Sequence, residues 1–160
     1  MSKKIELLAP GGDVTAIKAA IIAGANAIYC GLNLFNARSK AVNLTLDQLK
    51  GVLRLAHQYE CEVFLTLNIL IIEYEVKSVI KLLNQLVNTS LDGVIVQDLG
   101  LLYILKKHFP TMAVHASTQL TTHNEGQILF LETLGVERVN LSRELNLTEI
   151  KPLSKIAHDN

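Results

Sequence analysis

The 160-residue chain has no tryptophan, two cysteines, three prolines and 5% aromatic residues. It has no surplus charge either, since 15 basic and 15 acidic side chains cancel. No basic field therefore draws nucleic acid to this segment, and no acidic tail repels it. No apolar run approaches the roughly 18 residues of a membrane span. Glu6 and Pro10 break the N-terminal segment, which does not read as a signal peptide. The chain is therefore expected in the cytoplasm, without a membrane partner. Cys30 and Cys61 lack metal-type spacing, and in a reducing compartment they read as small buried hydrophobes. No zinc, calcium, haem or P-loop pattern occurs, so no metal ligand is assigned.

What the chain does have is apolar content, 49% with a mean hydropathy of +0.30, enough for one domain with a real core. That content is arranged as six repeats of a short apolar strand, a turn and an amphipathic helix. The strands are predicted at Ile5–Ala9, Ala27–Cys30, Glu62–Leu67, Gly93–Gln97, Ala113–Ser117 and Arg138–Leu141. Helix starts are marked by Asp13, by Thr45 with Gln48 three residues on, by Asp98 and by Asn146. Gly24 and Gly135 mark helix ends. Strands alternating with helices imply parallel pairing through right-handed crossovers. The expected class is α/β: six βα units of a TIM-like barrel, which closes only with eight. Residues 1–160 then form the N-terminal part of a barrel domain, truncated before closure, or else an unusual open sheet. An open edge at the sixth strand favours self-association.

Strand side chains alternate between faces. The set expected against the helices is Ile5, Leu7, Ile28, Leu65, Leu67, Val94, Val96, Val114, Ala116, Val139 and Leu141. The opposite set, facing the axis, is Glu6, Tyr29, Thr66, Asn68, Gln97, His115, Ser117, Asn140 and Ser142. A barrel axis is ordinarily packed with branched aliphatic side chains, and each buried polar group left unpaired costs about 1–3 kcal/mol. A polar axis is therefore read as a wet, ligand-holding cavity in preference to a structural hydrogen-bond network. Its later members lie at the C-terminal strand ends, where barrel active sites form.

The individual residues carry both functional and structural readings. His115 and Ser117 share a face, as half of a nucleophile–base pair would, but neighbours on one strand seldom reach attack geometry. A hydrogen-bonded interior histidine is the better reading. Glu6, near the N-terminal strand end, reads as a salt-bridged structural carboxylate. Arg38, in the long loop after the second strand, is placed to clamp a carboxylate or phosphate, although a solvated loop arginine fits equally. Arg143 and Glu144 read as a mutual pair. Pro10-Gly11-Gly12 reads as a tight strand-to-helix turn.

Seven segments in order carry a resemblance: Glu6-Leu7-Leu8-Ala9-Pro10-Gly11-Gly12-Asp13, Gly24-Ala25-Asn26-Ala27-Ile28-Tyr29-Cys30-Gly31, Phe35-Asn36-Ala37-Arg38, Thr66-Leu67-Asn68, Val94-Ile95-Val96-Gln97-Asp98, His115-Ala116-Ser117-Thr118-Gln119 and Ser142-Arg143-Glu144-Leu145. Together they resemble the N-terminal region of peptidase family U32, the collagenase-like proteases. The resemblance implies a barrel-type fold and bacterial cytoplasmic enzymes. Some members are named for collagenase-like proteolysis. Others are hydroxylation factors for transfer or ribosomal RNA, and a related pair serves ubiquinone hydroxylation. The family's His-Gly-Ala-Leu-Cys segment and its further cysteines, which hold an iron–sulfur cluster in some members, fall beyond this chain. Neither Cys30 nor Cys61 matches them, so any cluster belongs to a longer parent, and this chain alone is expected to be inactive.

The readings that follow are a U32-family peptidase segment, an RNA hydroxylation factor of that family, or a non-catalytic small-carboxylate-binding module. The candidate cavity residues are Arg38, Asn68, Gln97, His115, Ser117, Gln119, Asn140 and Ser142. The partners implied are a small carboxylate or peptide, with RNA for the parent protein.

Overall fold

The computed structural model describes residues 5–37 and 43–159. Strands and helices alternate as β1 (Leu8–Gly11), α1 (Val14–Ile22), β2 (Ala27–Cys30), α2 (Leu46–Gln58), β3 (Glu62–Leu67), α3 (Val76–Leu86), β4 (Gly93–Val96), α4 (Leu99–His108), β5 (Val114–Ala116), α5 (Glu125–Thr133), β6 (Arg138–Val139) and α6 (Leu147–Asp159). The strands form one parallel sheet in the order β1-β2-β3-β4-β5-β6. Sequential order with a helix in every crossover gives the curled (β/α) barrel-type sheet expected from the repeats.

The helix starts follow their caps. Asp13 accepts from the Ala16 N–H at 2.7 Å, and Asp98 accepts from the Leu101 N–H at 2.7 Å. Thr45 and Gln48 form a reciprocal capping box. Each cap contributes about 1 kcal/mol by satisfying an amide that the helix leaves unpaired. Gly24 (φ +91°) and Gly135 (φ +76°) turn the chain out of α1 and α5 in the left-handed region. The helix-facing strand residues Ile28, Leu65, Leu67, Val94, Val96, Val114 and Ala116 are buried in one apolar cluster with Ile17, Leu49, Leu53, Leu83, Leu102 and Leu105. Removing each large side chain from water stabilises the fold by about 1.5–3 kcal/mol.

Strand ends differ from the sequence expectation. The first strand runs from Leu8 to Gly11, not from Ile5 to Ala9. The Leu7 N–H is taken by the Asn26 side chain at 2.9 Å, so pairing with β2 begins one residue later. Ile5 and Leu7 are exposed and face no helix. Gly11 belongs to the strand, where it pairs with Cys30, and not to a turn after it; a Cβ there would meet Ile17 at 2.4 Å. β4, β5 and β6 are also shorter than expected. Asp98 begins α4 just beyond β4, and the Ser117 hydroxyl accepts from the Gln119 N–H, turning the chain directly after β5.

The axis side is layered. Its lower part is apolar, with Ala27, Phe64 and Ile95 packed together against Leu8 and Tyr29. Hydrophilic groups lie on both sides of this layer, with Glu6 and Arg138 below it, His115 against Phe64 within it, and a polar group of side chains above it, so the expected all-polar axis is corrected to one interrupted by an apolar floor. Phe64 and Ile95 occupy axis positions because alternation within β3 and β4 gives them no other face.

Candidate functional site

A cavity of about 490 Å³ opens above this floor, at the C-terminal ends of the strands, where parallel barrels hold their ligands. Leu8, Tyr29 and Ile95 form its base, Gly11 and Gly12 its β1 side, and Ser117, Thr118, Gln119 and Asn140 its β5–β6 side. Asn36, Ala37 and Asn43, from the loop after β2, and Asn68, just after β3, complete the wall.

Four of the candidate residues, Asn68, Ser117, Gln119 and Asn140, thus meet at one cavity. Gln97 is half-buried at the end of β4 but does not line it. Ser142 is buried beside the cavity, where its hydroxyl donates to Glu144 and its N–H donates to the Thr122 carbonyl at 2.8 Å. His115 lies in the floor. Arg38 falls outside the described residues. Tyr29 and Thr66, placed on the polar axis by register, line it as well. Asn36, Asn43 and Arg143 line the cavity without having been selected from sequence. Asn36 belonged to the Phe-Asn-Ala-Arg segment, but nothing local marked it as interior.

The hydrogen bonds fix what the wall can offer a ligand. A backbone N–H only donates, so the 3.1 Å contact from the Ala37 N–H places the Asn68 carbonyl oxygen on the loop and leaves its NH₂ without a partner among the described residues. The reverse holds at Asn140, whose NH₂ donates to the Ala116 carbonyl at 2.8 Å and leaves the side-chain oxygen to accept. Thr66 donates to the Cys30 carbonyl at 3.0 Å. The Ser117 oxygen accepts from Gln119, so its O–H is available. Arg143 is the one charged side chain on the described wall, and no Asp or Glu lines it. The expected Arg143–Glu144 pair is replaced, because Glu144 bonds the Ser142 hydroxyl. That bond first, with the Arg143 charge contributing, lowers the Glu144 pKa.

Nothing on the described wall is an activated nucleophile. Burial pushes the Cys30 thiol up to about 12, far from the thiolate that reaction requires. His115 makes no hydrogen bond to Ser117; its ring stacks on Phe64 at 4.3 Å between centroids. This corrects the expectation of a hydrogen-bonded interior histidine. Burial first, then the positive charge of Arg138, lowers its pKa to about 4, with Glu6 opposing. The Arg138 guanidinium lies 5.9 Å from the centroid of the Phe64 ring and grips Glu6 through two bonds of 2.7 and 2.9 Å. Glu6 is therefore the structural, salt-bridged carboxylate that its strand position suggested.

Among the described residues, no three His, Cys, Asp or Glu side chains converge as a metal would need. Cys30 and Cys61 are both buried, and two thiols do not make the four-cysteine ligand set of an iron–sulfur cluster. The residues present do not fit that group. No helix among the described residues is long and apolar enough to cross a membrane.

The sheet and its polar end define an α/β barrel-type domain with a ligand-sized cavity at the strand C-termini. The chain belongs to peptidase family U32, whose model matches residues 12–159. It is 36% identical over 152 residues to the 23S rRNA 5-hydroxycytidine C2501 synthase of Escherichia coli, a match covering 95% of this chain and 23% of that protein. It is 37% identical over 153 residues to the uncharacterized protease MJ0090 of Methanocaldococcus jannaschii, covering 96% of this chain and 37% of that one. The chain therefore spans well under half the length of these relatives. The solved structure of the U32 peptidase Mk0906 superimposes with a TM-score of 0.76 at 13% identity, over 97% of this chain and 66% of that one. That likeness concerns the fold.

Proposed function

We propose that the cavity binds a small carboxylate and that the protein works in RNA hydroxylation. The observation that carries the reading is the wall chemistry: among the described residues Arg143 is its one charged side chain, amides and hydroxyls surround it, and no Asp or Glu lines it. An arginine fork matches a carboxylate in geometry and charge. RNA enters through the E. coli relative, whose name states a ribosomal RNA product. A peptidase reading has the second relative's name behind it, yet the described wall supplies neither a lowered-pKa thiol nor a base bonded to a hydroxyl. Binding, not amide hydrolysis, is what these side chains support.

Two measurements test the proposal. Thermal shift of the purified chain with malate, 2-oxoglutarate and citrate, against glucose as an uncharged control, should show stabilisation by at least one acid. That stabilisation should be lost in Arg143→Ala and partly kept in Arg143→Lys. Equal response to glucose, or an unchanged response in Arg143→Ala, would overturn the carboxylate reading. Mass spectrometry of RNA nucleosides from cells lacking the gene should show loss of a hydroxylated nucleoside; an unchanged inventory would remove the RNA reading.

A further inference from the structure

We infer that Asn68 is a two-handed residue, holding the loop after β2 with its oxygen while offering its NH₂ to the bound anion. The inference rests on the carboxylate reading above and assigns a positioning and specificity role within that site.

The loop leaves β2 at Gly31 and returns at Leu44, where the Leu44 N–H meets the Gly31 carbonyl at 2.9 Å and Leu32 bridges Leu44. Its first arm is pinned from inside by Asn36, which is buried and donates to the Leu32 carbonyl and, at 3.2 Å, to the Asn43 oxygen. Gly31 permits this packing, since a Cβ there would lie 2.8 Å from the Asn36 amide. These two Asn36 bonds stay within the loop. The tie from Ala37 to Asn68, at 3.1 Å, instead joins the arm to the sheet across the cavity wall.

Chemistry fixes the orientation of that tie. The Ala37 N–H demands an acceptor, so the Asn68 oxygen is committed to the loop. The NH₂ has no partner among the described residues, on a side chain that lines the same cavity as Arg143. A carboxylate held by Arg143 needs further donors for its remaining lone pairs, and Asn68 can supply one without releasing the loop. Through this side chain the occupant of the cavity and the position of the loop arm are linked.

Asparagine is the residue that does both, which makes the role testable. Asn68→Asp keeps an acceptor for Ala37 but removes the donor and adds a negative charge. Asn68→Ala removes both hands without adding charge. Affinity for the stabilising acid by calorimetry, and hydrogen exchange at the Ala37 amide by NMR, read the two hands separately. In Asn68→Asp the Ala37 exchange rate should stay within about twofold of wild type while affinity falls by tenfold or more. In Asn68→Ala affinity should fall about tenfold and Ala37 should exchange about fivefold faster. Wild-type affinity in Asn68→Asp, or unchanged Ala37 exchange in Asn68→Ala, overturns the inference. A wild-type chain that binds none of the acids overturns the carboxylate reading instead, and exchange at Ala37 in the free protein still decides whether Asn68 holds the loop.

Discussion

Thr122 is the clearest case of a single side chain at odds with its surroundings. It is fully buried, and among the described residues its hydroxyl has no hydrogen-bond partner. An unpaired buried hydroxyl loses its water contacts and gains nothing. Thr122→Val keeps the shape and removes that penalty, so it should leave stability unchanged or raise it by about 1 kcal/mol in urea titration. Thr66→Val, which looks like the same exchange, should cost about 1 kcal/mol, because it takes a donor away from the Cys30 carbonyl. Equal effects of the two substitutions would show that hydrogen bonding does not separate them. Arg143 gives the matching lesson for reading sequence. Beside Glu144 it looked self-neutralised, and neither the Ser142 hydroxyl bonded to that carboxylate nor the place of Arg143 on the cavity wall could be read from the sequence.

At the level of strands and helices, the pattern was legible wherever a local signal was decisive. The ranges of β2 and β3, and the capping box of α2, follow from apolar runs bounded by turn residues and from Thr45 with Gln48. The misjudged ends depend on contacts remote in the chain: Asn26 reaching back to Leu7, and Gly11 pressed against Ile17 and Ile28. The cavity was half legible for the same reason. Alternation placed Asn68, Ser117 and Asn140 at the correct strand ends, but it could not show that Ile95 and Phe64 would fill the axis beneath them. Close approach between elements also makes a prediction. A Cβ on Gly93 would lie 2.7 Å from the Ala113 carbonyl oxygen, a backbone atom that cannot swing aside. Gly93→Ala should therefore destabilise by about 2 kcal/mol or more. A Cβ at Gly51, inside α2, meets nothing within 4 Å, so Gly51→Ala should stabilise by about 0.5–1 kcal/mol. Chemical denaturation of the two variants gives both signs in one experiment.

For the molecule as a whole, the decisive tie is the one between its first and sixth strands. Glu6, two residues before β1, meets Arg138, in β6, across 132 positions of sequence, so the ends of the curled sheet are joined beneath the cavity floor. Both side chains keep partial contact with solvent, which holds the contribution of the pair to about 1 kcal/mol despite its two bonds. Burial comes first in the electrostatics of His115, and the same pair adds to it, Arg138 lowering and Glu6 raising the pKa, in an environment that includes Phe64 and the β4 register partner Ile95. The histidine pKa is lowered from 6.5 to about 4 in the folded protein. Between those values the unfolded chain takes up a proton that the folded chain refuses, so stability falls as pH drops through that window and is restored above it. His115→Phe preserves a ring against Phe64 and removes the titration, and its urea midpoint should decline less than that of wild type between neutral pH and about pH 4. Glu6→Gln should act in the opposite sense on the histidine. With its counter-charge gone, Arg138 repels the imidazolium more strongly, and the NMR titration of the His115 ring should move further below its wild-type midpoint. A ring that titrates near the ordinary histidine value in wild type, or that moves upward in Glu6→Gln, would mean that the Glu6–Arg138 tie does not govern the floor of this cavity.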